Sequence, residues 1–135
     1  MDISFHKDIP NKEDYFHLYQ STGWNNDGVF TADLLYEGLK NSWFIVSAYN
    51  DDKLVASGRI VSDGFIQCFI CEMIVLPEYQ NQGLGKRIME NLLNHCKSKN
   101  IRWVQLACAK GKKAFYEKFG FQERATEAPG MNLFL

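Results

Sequence analysis

Hydrophobic positions change their spacing several times along this chain, and each change marks an element. After a short strand-like start, "ISFHK", the segment "NKEDYFHLYQST" places Tyr15, Leu18 and Tyr19 at helical spacing behind Asn11. A cap residue followed by acids predicts a helix there. A turn-rich loop, "GWNNDG", precedes "TADLLYEGLKN", which predicts a second short helix capped by Thr31. Three strand-like runs come next: "WFIVSAY" (43–49), "LVASGRIV" (54–61) and "FIQCFICEMIV" (65–75). The polar turns "NDDK" and "SDG" join them, which predicts an antiparallel meander. The third run is the most apolar, so it is expected to be central and buried on both faces.

From Leu84 the apolar residues fall at Ile88, Met89, Leu92, Leu93 and Cys96, with Lys86, Arg87, Glu90, Asn94 and Lys97 opposite. That stripe predicts an amphipathic helix of about four turns. "RWVQLAC" (102–108) reads as a strand, and strand, helix and strand in this order predict a crossover joining parallel neighbours. A short helix, "KKAFYEKFG", is closed by Gly120, and "FQER" and "MNLFL" are expected to form a last pair of strands. The expected class is α/β. A mixed central sheet, antiparallel first and parallel around the loop before the long helix, is flanked by about four helices in one domain, 1–135.

Composition narrows the picture. The chain has 135 residues, 46% hydrophobic and 23% charged, with a formal net charge of −1. Such a balance supports a globular core and gives no global field for nucleic acid. No apolar run is long enough to span a membrane, and "MDISFHKDIP" lacks the order of a signal peptide. A cytoplasmic protein without membrane or nucleic-acid partners is expected. Cys68 and Cys71 sit three apart on a strand, hence on opposite faces, and cannot readily share a metal or a bridge. With Cys96 and Cys108 they are expected to be buried free thiols, with no metal site. His6, His17 and His95 are expected on the surface.

The candidate chemistry lies in "YQNQGLGKR", residues 79–87. It falls between the most apolar strand and the N-terminus of the longest helix, where unpaired N–H groups and the helix dipole favour an anion. Gly83 and Gly85 let a phosphate approach the backbone. Gln80, Asn81 and Gln82 add neutral donors, and Lys86 and Arg87 add charge. A phosphate-binding P-loop would space its glycines more widely, and a dinucleotide-binding loop would have a third glycine where Ile88 stands.

"EMIVLPEYQNQGLGKRIMENLL" resembles the acetyl-CoA-binding segment of the GNAT superfamily of N-acetyltransferases, with Gln80, Gly83 and Gly85 on its signature. "AFYEKFGFQER" is similar to a second segment of that family, and the two occur in family order. The resemblance implies acetyl transfer from acetyl-CoA, without metal, to a primary amine of a small molecule or a protein. It places the pantetheine arm against the backbone of Met73, Ile74 and Val75, where their strand splays from its neighbour. Gln80, Asn81, Gln82, Gly83, Leu84, Gly85 and Lys86 would hold the pyrophosphate, with Lys112, Phe115 and Lys118 contributing from the second segment. It makes Tyr116 the general acid, whose phenol can donate to a departing thiolate.

The remaining roles have two readings each. Glu72 is the carboxylate in the apolar strand and a candidate base, or else an ion-pair partner, of Arg59 for example. Trp24 and Phe30 are candidates for the acceptor side, where an aromatic can cradle an amine, and Trp43 fits a core position equally well. Where the family often has an asparagine ahead of the tyrosine, this chain has Ala109. The short stretch after "GFQER" implies an acceptor pocket that is open or completed by a second subunit, and "MNLFL" is a candidate for pairing in a homodimer. A catalytically silent CoA-sensing or adaptor domain, and a regulator binding another nucleotide, are the competing functions.

Overall fold

The computed structural model describes residues 2–135 in two units, one up to Gln105 and one from Leu106 onward. The first carries nearly all of a five-stranded sheet, β1 (Ile3–His6), β2 (Phe44–Asn50), β3 (Lys53–Ser62), β4 (Gln67–Val75) and β5 (Trp103–Leu106), in that spatial order. β1 to β4 pair antiparallel. β5 runs parallel beside β4, and only its last residue belongs to the second unit. The helices of the first unit are α1 (Lys12–Gln20), α2 (Ala32–Lys40) and α3 (Leu84–Ser98).

The caps form as the sequence predicts. Asn11 accepts from the amides of Glu13 and Asp14, at 2.9 and 3.2 Å, and Thr31 Oγ1 accepts from that of Leu34 at 3.1 Å. On α3 the residues Leu84, Ile88, Met89, Leu92 and Cys96 are buried against β2, β3 and β4, which is the predicted stripe except that Leu93 is only half-buried. Burying side chains of this kind stabilises by roughly 1.5–3 kcal/mol each before entropy is counted.

β3, not β4, is the central and most continuously buried strand. β4 alternates buried and exposed positions over its first residues, and Phe69 is 42% exposed. The expectation of a strand buried on both faces is therefore corrected. α3 covers one face, while α1 packs on the other toward β3 and β4 and leaves the hairpin end, with Val61, Phe65, Ile66 and Phe69, open.

One irregularity interrupts the ladder between β3 and β4. Arg59 pairs with Cys71 and Ser57 with Ile74, so Glu72 and Met73 share a bulge opposite Gly58. Glu72 takes φ +52°, a left-handed conformation uncommon for a residue with a side chain. A Cβ at Gly58 would lie 2.7 Å from Met73 Sδ, 2.9 Å from Ile88 Cγ2 and 3.0 Å from Leu92 Cδ1. Glycine there lets α3 and the bulged strand approach β3.

The second unit holds α4 (Lys113–Glu117), after which Gly120 at φ +96° turns the chain, as predicted. Neither "FQER" nor "MNLFL" forms a strand. Arg124 Nε donates to the Ala128 carbonyl at 2.9 Å, which folds the chain back on itself before Pro129–Gly130. Met131, Leu133, Phe134 and Leu135 are exposed.

Candidate functional site

β4 delivers its C-terminal residues to a 3₁₀ turn, Pro77–Tyr79, and then to the glycine loop. Ile74 is buried while its neighbours Met73 and Val75 are half-buried. β5 has 4 residues against 9 in β4, so it can pair with only part of that strand. Gln80 Nε2 donates to the Val75 carbonyl at 3.0 Å and Gln82 Nε2 to the Glu78 carbonyl at 3.3 Å. Both amides thus brace the loop to the segment before it. Asn81 and Gly83 take φ +62° and +84°, turning the chain into α3.

Gly83 is the N-cap of α3 and offers no side-chain cap to the first-turn amides. The first turn contains no acid, and Lys86 and Arg87 lie within it, exposed. A Cβ on Gly83 would meet nothing within 4 Å. These features leave an open, electropositive helix end with unsatisfied N–H groups, a geometry suited to phosphate oxygens. Leu84 is buried beneath it and Gly85 follows in the helix.

Beside this loop along β4 lies a polar cluster. Arg59 Nη2 donates to Glu72 Oε1 at 3.1 Å, and Arg59 Nε donates to Glu72 Oε2. Tyr15 Oη, from α1, donates to the same Oε2 at 3.1 Å. Arg59 Nη1 reaches the Gly38 carbonyl at 3.4 Å and Ser42 Oγ at 3.2 Å. The ion-pair reading of Glu72 is thus realised in the structure. Burial first, then the Glu72 charge, pushes the Tyr15 phenol well above its ordinary value. Tyr15 is legible in the sequence only as one position of a helical stripe, and nothing there links it to Glu72.

Trp24 and Phe30 come together on Tyr19, with ring centroids 5.8 and 6.4 Å from it and both packed edge-on. Asn25, buried, fixes this loop by donating to Gln20 Oε1 and the Phe30 carbonyl and by accepting from the Phe30 amide. Trp24 remains 48% exposed. Trp43 lies apart, half-buried against His95 at 4.8 Å.

In the second unit Tyr116 is half-buried on α4, edge-on to Phe115 at 5.1 Å and to Phe121 at 6.1 Å. Burial, and then Cys108, raises its phenol above the ordinary value, so it stays protonated. Lys112 and Lys118 flank α4, exposed, and the Ala109 carbonyl accepts from the Lys112 amide in the turn before it.

Two expectations about other groups are corrected. Cys68 and Cys96 are buried, but Cys71 is only half-buried and Cys108 is exposed. Cys96 Sγ lies 3.4 Å from Cys68 Sγ, and burial followed by that contact pushes the Cys96 thiol up to about 12. His6 and His17 are exposed, whereas His95 is half-buried and stacked on Phe44 at 3.8 Å. Its β2 neighbour draws the ring onto the sheet.

A family model, Acetyltransferase (GNAT) domain, matches residues 41–123, the span from β2 through α4. The chain belongs to the GNAT superfamily and is an acetyltransferase of that type. Among sequence relatives, the uncharacterized N-acetyltransferase ycf52 of Pyropia yezoensis is 28% identical over 96% of this chain and 74% of its own length. A probable acetyltransferase of unknown function from meticillin-resistant Staphylococcus aureus has a crystal structure matching at a TM-score of 0.89. It is 30% identical, and the match covers 99% of this chain and 100% of that one. The PaiA N-acetyltransferase of Thermoplasma acidophilum, solved in complex with coenzyme A, shares the fold. Its TM-score is 0.75 and its identity 18%, with 93% of each chain covered. Among the described residues no helix is long and apolar enough to cross a membrane.

Proposed function

We propose that this protein transfers an acetyl group from acetyl-CoA to a primary amine by direct attack on the thioester. The observation that carries the reading is the open N-terminus of α3, capped by left-handed Gly83 and reached from the bulged strand β4 through one 3₁₀ turn and the glycine loop. The pyrophosphate would lie on the amides of the glycine loop, with Lys86 at its rim. The pantetheine arm would run along the backbone of Met73–Val75, where an N–H can stabilise developing charge on the carbonyl oxygen. Lys112, Phe115 and Lys118 are assigned to the same ligand by their place in the family pattern.

Tyr116 is the general acid in this reading: its raised phenol holds a proton for the departing thiolate. Glu72 takes the proton lost by the amine, directly or through water, at Oε1, which carries one protein donor where Oε2 carries two. Trp24 and Phe30, braced on the buried Tyr19, offer aromatic surface to an amine acceptor of small-molecule or protein origin. A homodimer is a further part of the proposal, through the exposed apolar stretch 131–135, and sedimentation of the wild type against Leu133→Asp would test it.

The test is an acetyl-CoA-dependent assay of thiol release over a panel of amines, run beside calorimetry. Binding of acetyl-CoA together with turnover on at least one amine sustains the proposal. Binding without turnover on any amine favours the silent, CoA-sensing alternative. A folded protein that binds no acetyl-CoA refutes both.

A further inference from the structure

We infer that Tyr15 and Arg59 are positioning residues. Through the Glu72 carboxylate they fix the bulge of β4, and with it the backbone of Met73–Val75 that would carry the pantetheine arm. The inference rests on that acetyl-CoA reading.

A glutamate has no intrinsic reason to sit at φ +52°, so surrounding structure must hold it there. The bulge exists because two residues of β4 share one partner on β3, and glycine is that partner. A bulge of this kind could slide by one residue, which would reverse every side chain beyond it. Glu72 is where sliding is blocked. Its two carboxylate oxygens receive different nitrogens of one guanidinium, so Arg59 on β3 fixes the carboxylate in both position and plane. Tyr15 adds a third donor from α1, on the side away from α3.

Arg59 is itself held. Its remaining nitrogen reaches Gly38 in α2 and Ser42 just beyond that helix. One carboxylate therefore ties together α1, α2, β3 and β4, and both charged side chains are about four-fifths removed from solvent, at 18% and 21% exposure. The residue after Glu72 is the first of the three whose backbone would receive the ligand. A small rotation at the bulge moves all three.

Calorimetric titration of acetyl-CoA into Tyr15→Phe and Arg59→Lys tests this, with melting curves to show that each variant is folded. Tyr15→Phe deletes one donor and keeps the ring. Arg59→Lys keeps the charge and loses the two-pronged contact. The expected result is acetyl-CoA binding weakened about five- to tenfold in Tyr15→Phe and further in Arg59→Lys, with the KM for the amine unmoved. Binding within about twofold of wild type in folded Tyr15→Phe overturns the inference, because a purely stabilising contact would lower only the melting temperature. If Arg59→Lys does not fold, Tyr15→Phe decides alone.

A second pair of variants isolates the backbone. Glu72→Gly and Glu72→Ala both lose the carboxylate, but only glycine takes a left-handed φ without strain. Both should bind acetyl-CoA more weakly than wild type, Glu72→Ala the more so because it adds the backbone strain, and wild-type affinity in both folded variants overturns the inference. Failure of the wild type to bind acetyl-CoA would appear in the first titration and would fall on the acetyl-CoA reading itself.

Discussion

Gly58 has room for a hydrogen and nothing larger, because three side chains from β4 and α3 converge on it. A Cβ at this position would approach two of the three closer than 3.0 Å, so Gly58→Ala forces Met73, Ile88 or both to move. We expect a loss of about 1–3 kcal/mol, read as a lower urea midpoint with an unchanged slope. An unchanged midpoint would mean that the bulge relaxes freely. Tyr116 is expected to behave differently. Its phenol is held protonated by burial, so Tyr116→Phe should lower kcat by about a hundredfold or more and leave acetyl-CoA affinity near that of wild type. A kcat within a few-fold of wild type would remove the acid role. Neither Gly58 nor Tyr15 stands out in the sequence. Gly58 lies inside an ordinary strand pattern and Tyr15 inside an ordinary helical stripe, because the partners that give them meaning are distant along the chain.

At the level of elements, periodicity carries most of the information. The stripe from Leu84 to Cys96 and the two helix caps are readable because they depend on residues close in sequence. β4 is misplaced by the same pattern, because apolar richness says nothing about which face a helix covers. Phe69 and Cys71 are apolar or neutral yet face the thinly covered side. The last two strands are expected from β-forming residues alone, but a strand requires a partner, and among the described residues "MNLFL" has none. The glycine loop is legible because the function proposed for it depends on local backbone freedom.

The aromatic group proposed for the acceptor side is only half legible: Trp24 and Phe30 can be named, but their meeting on Tyr19 is arranged by Asn25. Docking α1 on the sheet also has a consequence in alkali. The folded Tyr15 phenol is raised above its ordinary value near 10, so above that pH the unfolded chain releases its proton while the folded chain keeps it. The unfolded state then binds fewer protons, and stability falls as pH rises through and beyond about 10. Tyr15→Phe should make that fall shallower, measured by denaturant unfolding at several alkaline pH values. An identical slope would show that Tyr15 titrates normally.

For the whole molecule, the sheet and α3 form the largest body of buried structure, and the glycine loop is the point where that body would meet a ligand. A ligand that binds only the folded chain raises its stability by mass action, about 2.7 kcal/mol at a hundred times its Kd. Acetyl-CoA at that concentration should therefore raise the melting temperature by roughly 8–16 °C, since about 1 kcal/mol moves the midpoint of a domain this size by roughly 3–6 °C. ATP and NAD share phosphates with acetyl-CoA but lack the pantetheine arm, so they should produce much smaller shifts. Gly83→Glu with Gly85→Glu brings two carboxylates to the positive end of α3 and should abolish the acetyl-CoA shift. The variant's own melting temperature, without ligand, separates a damaged fold from a lost site. A shift with acetyl-CoA that survives both substitutions would move the cofactor off the loop. Equal shifts from all three ligands in the wild type would make the loop a general phosphate cradle, and the protein a nucleotide binder in place of an acetyl donor's enzyme.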